Sequence, residues 1–266
     1  MTAKHPRVCI SCDKPLGANR AKEHIIPAWL IQELGSSEEV LTQRIADSAT
    51  HIAQDARKPH TLDAFKEGRV CGKCNHGWMS HLETEAKAIL PAFIHGKRFI
   101  TELSEPEALV TARWTLKTAI VLSHGIAFNK PLPVEHLHFL RQNQTELPLQ
   151  VGVFATVVSP ARDFGFVQRN RWENGVFQNL PNEPDFSFMQ TGAYKMAIEL
   201  RNIFLMAAYL PRTTSRFFLA AGVHVPILPN AVPYPSQRVN IVASPISDTY
   251  QRLLAFSDSL GALHLF

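Results

Sequence analysis

The chain has 266 residues, of which 45% are hydrophobic and 19% are charged, a composition typical of a globular protein. Its net charge of +4 is too small for this length to indicate nucleic-acid binding by itself. It has no charged-then-apolar leader and no apolar run of about 18 residues, so we expect neither secretion nor a membrane span, and we expect a cytoplasmic protein.

The N-terminal part opens with an irregular arm and continues with four predicted elements. These are a strand over 22–26, a helix over 27–34, a strand over 64–70 and a helix over 75–90. Gly35 is placed to end the first helix, Asn75 to start the second, and Pro91 to end it. The polar stretch 36–58 is predicted to be an insertion or a mobile loop with some helix.

The C-terminal part changes from helical to strand-like patterns. Helices are predicted over 105–123, 134–141 and 249–260, and strands over 149–158, 164–168, 176–179, 186–190, 203–210, 216–223 and 238–243. Ser104 and Glu107 form a capping-box pattern at the start of the first helix, and 173–175 is a hairpin-type turn. Residues 194–200 fit either a helix or a strand. We therefore predict a mostly antiparallel sheet with helix 105–123 packed on it.

The cysteines form two matched pairs, Cys9-x-x-Cys12 and Cys71-x-x-Cys74, and the chain has no others. One Cys-x-x-Cys pair supplies two thiolates to a tetrahedral ion, and two pairs complete a four-sulfur zinc site. Paired disulfides and redox chemistry are the alternatives. A cytoplasmic setting disfavours disulfides, and the absence of a strand–helix–strand context disfavours a redox motif. We expect one structural zinc ion.

Between the two cysteine pairs lie a carboxylate and an imidazole, Glu23 and His24. An oxygen ligand beside a nitrogen base suits a hard divalent ion together with general-base chemistry. Asn75 offers another oxygen ligand at a predicted helix N-terminus, where the partial positive charge also favours phosphate. Because four sulfurs close the zinc site, catalysis would need a second ion bound by oxygen.

This pattern resembles the zinc-containing HNH endonucleases, which belong to the ββα-metal nuclease group. The residues that carry the resemblance are Cys9-x-x-Cys12, Glu23-His24-Ile25-Ile26-Pro27 and Cys71-x-x-Cys74-Asn75, followed by His76-Gly77-Trp78-Met79-Ser80-His81-Leu82-Glu83. They span roughly residues 7–90, about a third of the chain.

The resemblance implies both a mechanism and a fold. Glu23 and Asn75 would bind Mg²⁺ or Mn²⁺, and His24 would activate water for hydrolysis of a phosphodiester bond in nucleic acid, DNA above all. The fold class is then α+β, with a zinc-stabilised ββα-metal module over 1–98 and a larger α+β domain with a mostly antiparallel sheet over 99–266. Four more residues are candidate substrate contacts: Lys22, Lys73, His76 and His81.

The sequence departs from the family pattern at two places. The middle asparagine that orients the histidine is not evident before Cys71, where His60 and Asp63 are the candidates, and Asn75 stands where the family usually has histidine. Each assigned residue also has a structural alternative: Glu23 as a solvated charge, His24 as a structural histidine and Asn75 as a helix N-cap.

The main alternative function is a non-catalytic zinc module that binds nucleic acid or a protein. The sequence leaves the oligomeric state open, with a homodimer among the possibilities, and it leaves the role of 99–266 open.

Overall fold

The computed structural model describes residues 7–16, 20–35, 40–41, 44–46, 53–55, 60–62, 66–125, 131–158, 160, 163–169, 192–211, 215–219, 225–227, 256–257 and 260–264. Its helices are α1 (Ala28–Leu34), α2 (Gly72–Cys74), α3 (Ser80–Ile94), α4 (Glu105–Gly125) and α5 (Val134–Gln142). Its strands are β1 (Arg20–His24), β2 (Val40–Leu41), β3 (Arg44–Ala46), β4 (Ala53–Asp55), β5 (His60–Thr61), β6 (Lys66–Cys71), β7 (Val151–Val157), β8 (Phe164–Arg169), β9 (Tyr194–Leu200), β10 (Ile203–Tyr209), β11 (Ser215–Leu219), β12 (Val225–Pro226) and β13 (Leu260–His264).

The N-terminal part is built on an antiparallel pair of strands, β1 and β6, with Arg20 opposite Cys71 and His24 opposite Lys66. Helix α1 follows β1 and ends, as predicted, at Gly35, which has a φ of 69° that glycine adopts without strain. Leu30 and Leu34 are buried, so α1 packs through the face that its apolar spacing predicts.

The prediction of some helix in 36–58 is wrong for the part of that stretch that the structure describes. Those residues form β2, β3 and β4, in the antiparallel pairs β2–β5 and β3–β4. The β-branched side chains of Val40 and Ile45 favour this extended form.

The helix that carries Asn75 differs from its prediction at both ends. It begins with α2 and passes through Asn75–Met79, where the backbone kinks at Gly77 (φ −95°, ψ −117°), before it runs on as α3. Asn75 therefore has helical dihedral angles, and the N-cap position belongs to Cys71. Pro91 lies inside α3 and does not end it. Burial of the following Phe93 and Ile94 offsets the hydrogen bond that proline removes.

The C-terminal part contains a five-stranded sheet in the order β12-β7-β10-β9-β8, and every pair in it is antiparallel. The ambiguous stretch 194–200 is strand β9. Ala197 and Met196 have weak strand preference, but every residue of β9 is buried, and tertiary packing decides its conformation. The antiparallel sheet in a mixed helix–strand chain confirms the predicted class.

The end of the chain departs from its prediction. Phe256 and Ser257 are helical, but Leu260 opens β13, which pairs with β11, so a helix reaching residue 260 is wrong. The predicted turn at 173–175 and the predicted strands 176–179, 186–190 and 238–243 lie outside the described residues.

Helix α4 lies between the two parts and contacts α3 on one side and strands β7, β9 and β10 on the other. All its residues from 111 to 123 are buried, as its apolar pattern predicts. At its start the Glu107 carboxylate accepts from the backbone N–H of Ser104 at 2.9 Å. No helix within the described ranges has both the length and the apolar character needed to cross a bilayer.

The turn between β9 and β10 also joins the two parts. Arg201 donates to the carbonyl of Leu34 at 2.7 Å, and Asn202 donates to the carbonyl of Ile94 at 2.8 Å. Leu34 and Ile94 are the last residues of α1 and α3, and carbonyl groups at a helix C-terminus have no hydrogen-bond donor within their own helix. The sheet thus caps both N-terminal helices.

Candidate functional site

The four cysteines converge on one point. Their sulfur atoms all lie within 4.8 Å of one another, and Cys12 Sγ and Cys71 Sγ are 3.8 Å apart. Zinc–sulfur bonds of about 2.3 Å in a tetrahedron place the sulfurs about 3.8 Å apart, so the arrangement fits a zinc ion. Among the described residues, this is the group of histidine, cysteine or acidic side chains that is close enough to hold a metal.

Backbone N–H groups point at the sulfurs. The N–H groups of Ser11 and Cys71 lie 3.4 and 3.3 Å from Cys9 Sγ. Such donors stabilise a thiolate, the form that binds zinc. The cluster is also tied to the next helix, because the indole N–H of Trp78 donates to Ser11 Oγ at 3.1 Å.

Burial and hydrogen bonding act on the thiols in opposite directions. Burial raises the pKa of Cys9 and raises the pKa of Cys74 to about 12. Burial also raises the pKa of Cys71, but hydrogen bonds from the Cys74 backbone N–H and from neighbouring thiols outweigh it and lower that pKa to about 7. Metal binding must therefore displace protons from Cys9 and Cys74.

A cavity of about 220 Å³ lies next to the cysteine cluster in the chain, because Asn75, which follows Cys74, lines it. Its lining residues come from the end of β1, the start of α1 and the helix that follows Cys74: His24, Pro27, Ala28, Asn75, His76, Ser80 and Glu83. His24 and Asn75, assigned roles from separate motifs, thus face one space. His24 and Asn75 are half-buried, whereas His76 is exposed.

The other assigned residues are placed as follows. Glu23 lies in β1 opposite Glu67, but its side chain, like that of Lys22, lies outside the described part. Lys73 is exposed beside the cysteine cluster. His81 does not line the cavity; its side chain is 73% exposed and lies 3.8 Å from Glu85.

The candidates for orienting His24 stay untested. His60 lies in β5, but its side chain lies outside the described residues, as does the whole of Asp63. The role of Asn75 as a helix N-cap, one of the structural alternatives, is wrong, because the helix starts before it. The side chain of Asn75 is therefore available to the cavity.

Glu83 is a charged residue of the cavity lining to which the sequence assigned no role. Its Oε2 accepts from the indole N–H groups of Trp29 and Trp114 at 2.9 and 2.8 Å, and its Oε1 lies 2.5 Å from Lys117 Nζ. The Lys117 side chain is fully buried. A lysine inside the apolar helix 105–123 was the available signal, since a buried charge requires a partner.

The cavity suits a hard cation only in part. Asn75 offers an amide oxygen, and His24 and His76 offer ring nitrogens, but the Glu83 oxygens already accept three donors. Mg²⁺ commonly takes one or two carboxylates together with water and phosphate oxygens. The carboxylate that the sequence assigns to this task is that of Glu23.

Comparisons of the chain with family models, with curated proteins and with solved structures found no match.

Proposed function

We propose that this protein is a metal-dependent endonuclease of the HNH type, which hydrolyses phosphodiester bonds in DNA. The observation that carries the proposal is that His24 and Asn75, far apart in the sequence, line one cavity beside a four-sulfur cluster. The order of the elements, two antiparallel strands followed by a helix, also agrees with the resemblance in the sequence.

In this proposal each residue has a distinct task. His24 accepts a proton from the attacking water, and Glu23 and Asn75 bind Mg²⁺ or Mn²⁺. The divalent ion supplies electrostatic stabilisation of the leaving oxygen. The zinc ion on Cys9, Cys12, Cys71 and Cys74 is structural, because four sulfurs leave no open coordination position.

Substrate binding falls to the groups around the cavity mouth. His76 lines the cavity and is exposed, so it can donate to a phosphate oxygen. Exposed Lys66 lies opposite His24 in the strand pair, and exposed Lys73 flanks the cysteine cluster. Lys22 and His81 are further candidates from the sequence. Salt-dependent binding of DNA is the expected consequence.

The deciding experiment is plasmid nicking in a series of Mg²⁺, Mn²⁺, Ca²⁺ and Zn²⁺ concentrations. Wild-type protein should nick with Mg²⁺ or Mn²⁺, and His24→Ala should lose nicking while it keeps its zinc content and its circular dichroism. Equal behaviour of the two proteins across all metals and substrates would refute the proposal.

The alternative is a zinc-stabilised module that binds nucleic acid or a protein without cutting. One observation favours it: both oxygens of Glu83 already accept hydrogen bonds, so the described cavity side chains offer a cation only neutral oxygens, those of Asn75 and Ser80. DNA binding without nicking in any metal would support this alternative.

A further inference from the structure

The Glu83 carboxylate is held from three directions by two helices. Trp29 of α1 donates to Oε2, Trp114 of α4 donates to the same oxygen, and Lys117 of α4 pairs with Oε1. The Glu83 side chain is 13% exposed and that of Lys117 is fully buried. Charge-assisted hydrogen bonds of this kind are strong and directional, so they fix the position of the Glu83 carboxylate.

The positions of the donors connect this carboxylate to both walls of the cavity. Trp29 is in the helix that starts just after His24 and Pro27, and Glu83 is in the helix that continues from Asn75. The hydrogen bond from Trp29 to Glu83 therefore joins the wall that carries His24 to the wall that carries Asn75. The four cysteines separately join the N-terminal arm, through Cys9 and Cys12, to the segment that leads into Asn75.

We propose that Glu83 is a positioning residue of the site: its carboxylate sets His24 relative to Asn75 through Trp29, and Trp114 and Lys117 hold that carboxylate in place. The inference rests on the proposed nuclease function. It gives α4, which lies outside the 1–98 module, a part in shaping the cavity. We assign Glu83 no direct contact with the substrate or the divalent ion, because three donors already bind its two oxygens.

Two double variants distinguish the effect of losing the acceptor oxygen of Glu83 from the effect of losing its charge. Glu83→Gln/Lys117→Met and Glu83→Leu/Lys117→Met both remove the ion pair and have equal net charge, but only the glutamine keeps an oxygen that can accept from Trp29. We expect the glutamine variant to keep most of the wild-type kcat. The leucine variant should lose about 10- to 100-fold in kcat, the usual effect of losing an outer-shell partner, with KM unchanged.

The matched control is Glu33→Gln. Glu33 of α1 pairs with His95, just after α3, at 2.6 Å, so it joins the same two helices without lining the cavity. This variant should keep wild-type kcat. Zinc content and thermal melting of every variant establish that each is folded.

A second readout does not need cleavage. The imidazole resonances of His24 in isotope-labelled protein should shift in the leucine variant and stay in place in the glutamine and Glu33→Gln variants. If wild type cuts DNA and the folded leucine variant keeps its kcat, the inference is overturned. If wild type does not cut, the proposed function fails, and unchanged His24 resonances in the leucine variant would overturn the inference separately.

Discussion

Cys74 and Asn75 are neighbours in the chain, yet they belong to two different sites: the sulfur of Cys74 lies in the four-cysteine cluster, while Asn75 lines the cavity that also contains His24. The four-cysteine cluster therefore sets the position of Asn75 directly. A metal bound by Cys74 would restrict the movement of Asn75, because the two residues are adjacent in the chain.

The first prediction concerns zinc content. Freshly purified, reduced protein should contain about one zinc ion per chain, and Cys74→Ser should bind much less and lose protease resistance in residues 7–94, because structural zinc contributes on the order of 10 kcal/mol of apparent binding free energy. Elemental analysis and limited proteolysis measure both.

Because Cys9 and Cys74 hold their protons more tightly than free cysteine, zinc affinity should fall as the pH is lowered. Zinc-free reduced protein with intact resistance would contradict the assignment.

The second prediction concerns Asn75→Ala. Asn75 has helical dihedral angles just before the kink at Gly77 and is not a helix N-cap, so alanine should change the free energy of unfolding by no more than about 0.5 kcal/mol, the difference in helix propensity. Loss of the proposed oxygen ligand should lower nicking at least ~100-fold. Thermal melting and the plasmid assay measure the two effects. Glu33→Gln, which removes a carboxylate outside the cavity lining, is the control and should keep activity. A large drop in melting temperature would show that Asn75 supports the fold.

The third prediction concerns the stability of the buried pair. Glu83→Gln alone leaves the Lys117 charge buried without its carboxylate and should cost about 3–5 kcal/mol of unfolding free energy. Glu83→Gln/Lys117→Met should be closer to wild type than the sum of the single variants, because it removes both charges. Urea unfolding of wild type, Glu83→Gln, Lys117→Met and the double variant measures the coupling free energy between the two charges. Strictly additive effects would mean that the two charges do not interact.

The fourth prediction concerns His136, a buried histidine of α5. Burial lowers the pKa of His136 to about 4, and His136 Nδ1 is hydrogen-bonded at 2.9 Å to the hydroxyl of Tyr194, whose own pKa burial raises. In the unfolded chain the His136 imidazole binds a proton near pH 6.5, its ordinary pKa. In the folded protein it stays neutral until the pH falls to about 4. Stability should therefore be lost as the pH falls from about 6.5 to about 4.

Denaturant unfolding at several pH values checks this dependence. Between pH 7 and pH 5 the His136 contribution should amount to roughly 1–2 kcal/mol. His136→Gln should be less stable at pH 7 but should show a loss between pH 7 and pH 5 that is smaller by that amount. His138→Gln, on the same helix, controls for a general effect of removing a histidine. Parallel pH curves for wild type and His136→Gln would contradict the assigned burial effect.

Local signals in the sequence predicted much of this fold. The left-handed glycine after α1, the apolar periodicity of α4 and the alternation of β-rich runs each act over a few residues, and the structure contains the elements that they predict. The errors occurred where packing outweighs local preference. Pro91 should end a helix by its chemistry, but burial of Phe93 carries the helix past it.

The candidate site was predictable in the same unequal way. The Cys-x-x-Cys spacing encodes the geometry of a four-sulfur cluster, so the sequence alone identified all four residues. The contacts of Glu83 could not be deduced from residue spacing, because its partners Trp29 and Lys117 lie 54 and 34 residues away in the sequence. No pattern of local spacing reports a contact over that distance.

The turn at Arg201 and Asn202, which caps α1 and α3 from the sheet, has a consequence for how the protein melts. If the C-terminal part opened, the carbonyls of Leu34 and Ile94 would lose these donors, and if the N-terminal part opened, Arg201 and Asn202 would lose these acceptors. Calorimetry should therefore register one cooperative heat-absorption peak, with release of the bound zinc coinciding with loss of the five-stranded sheet.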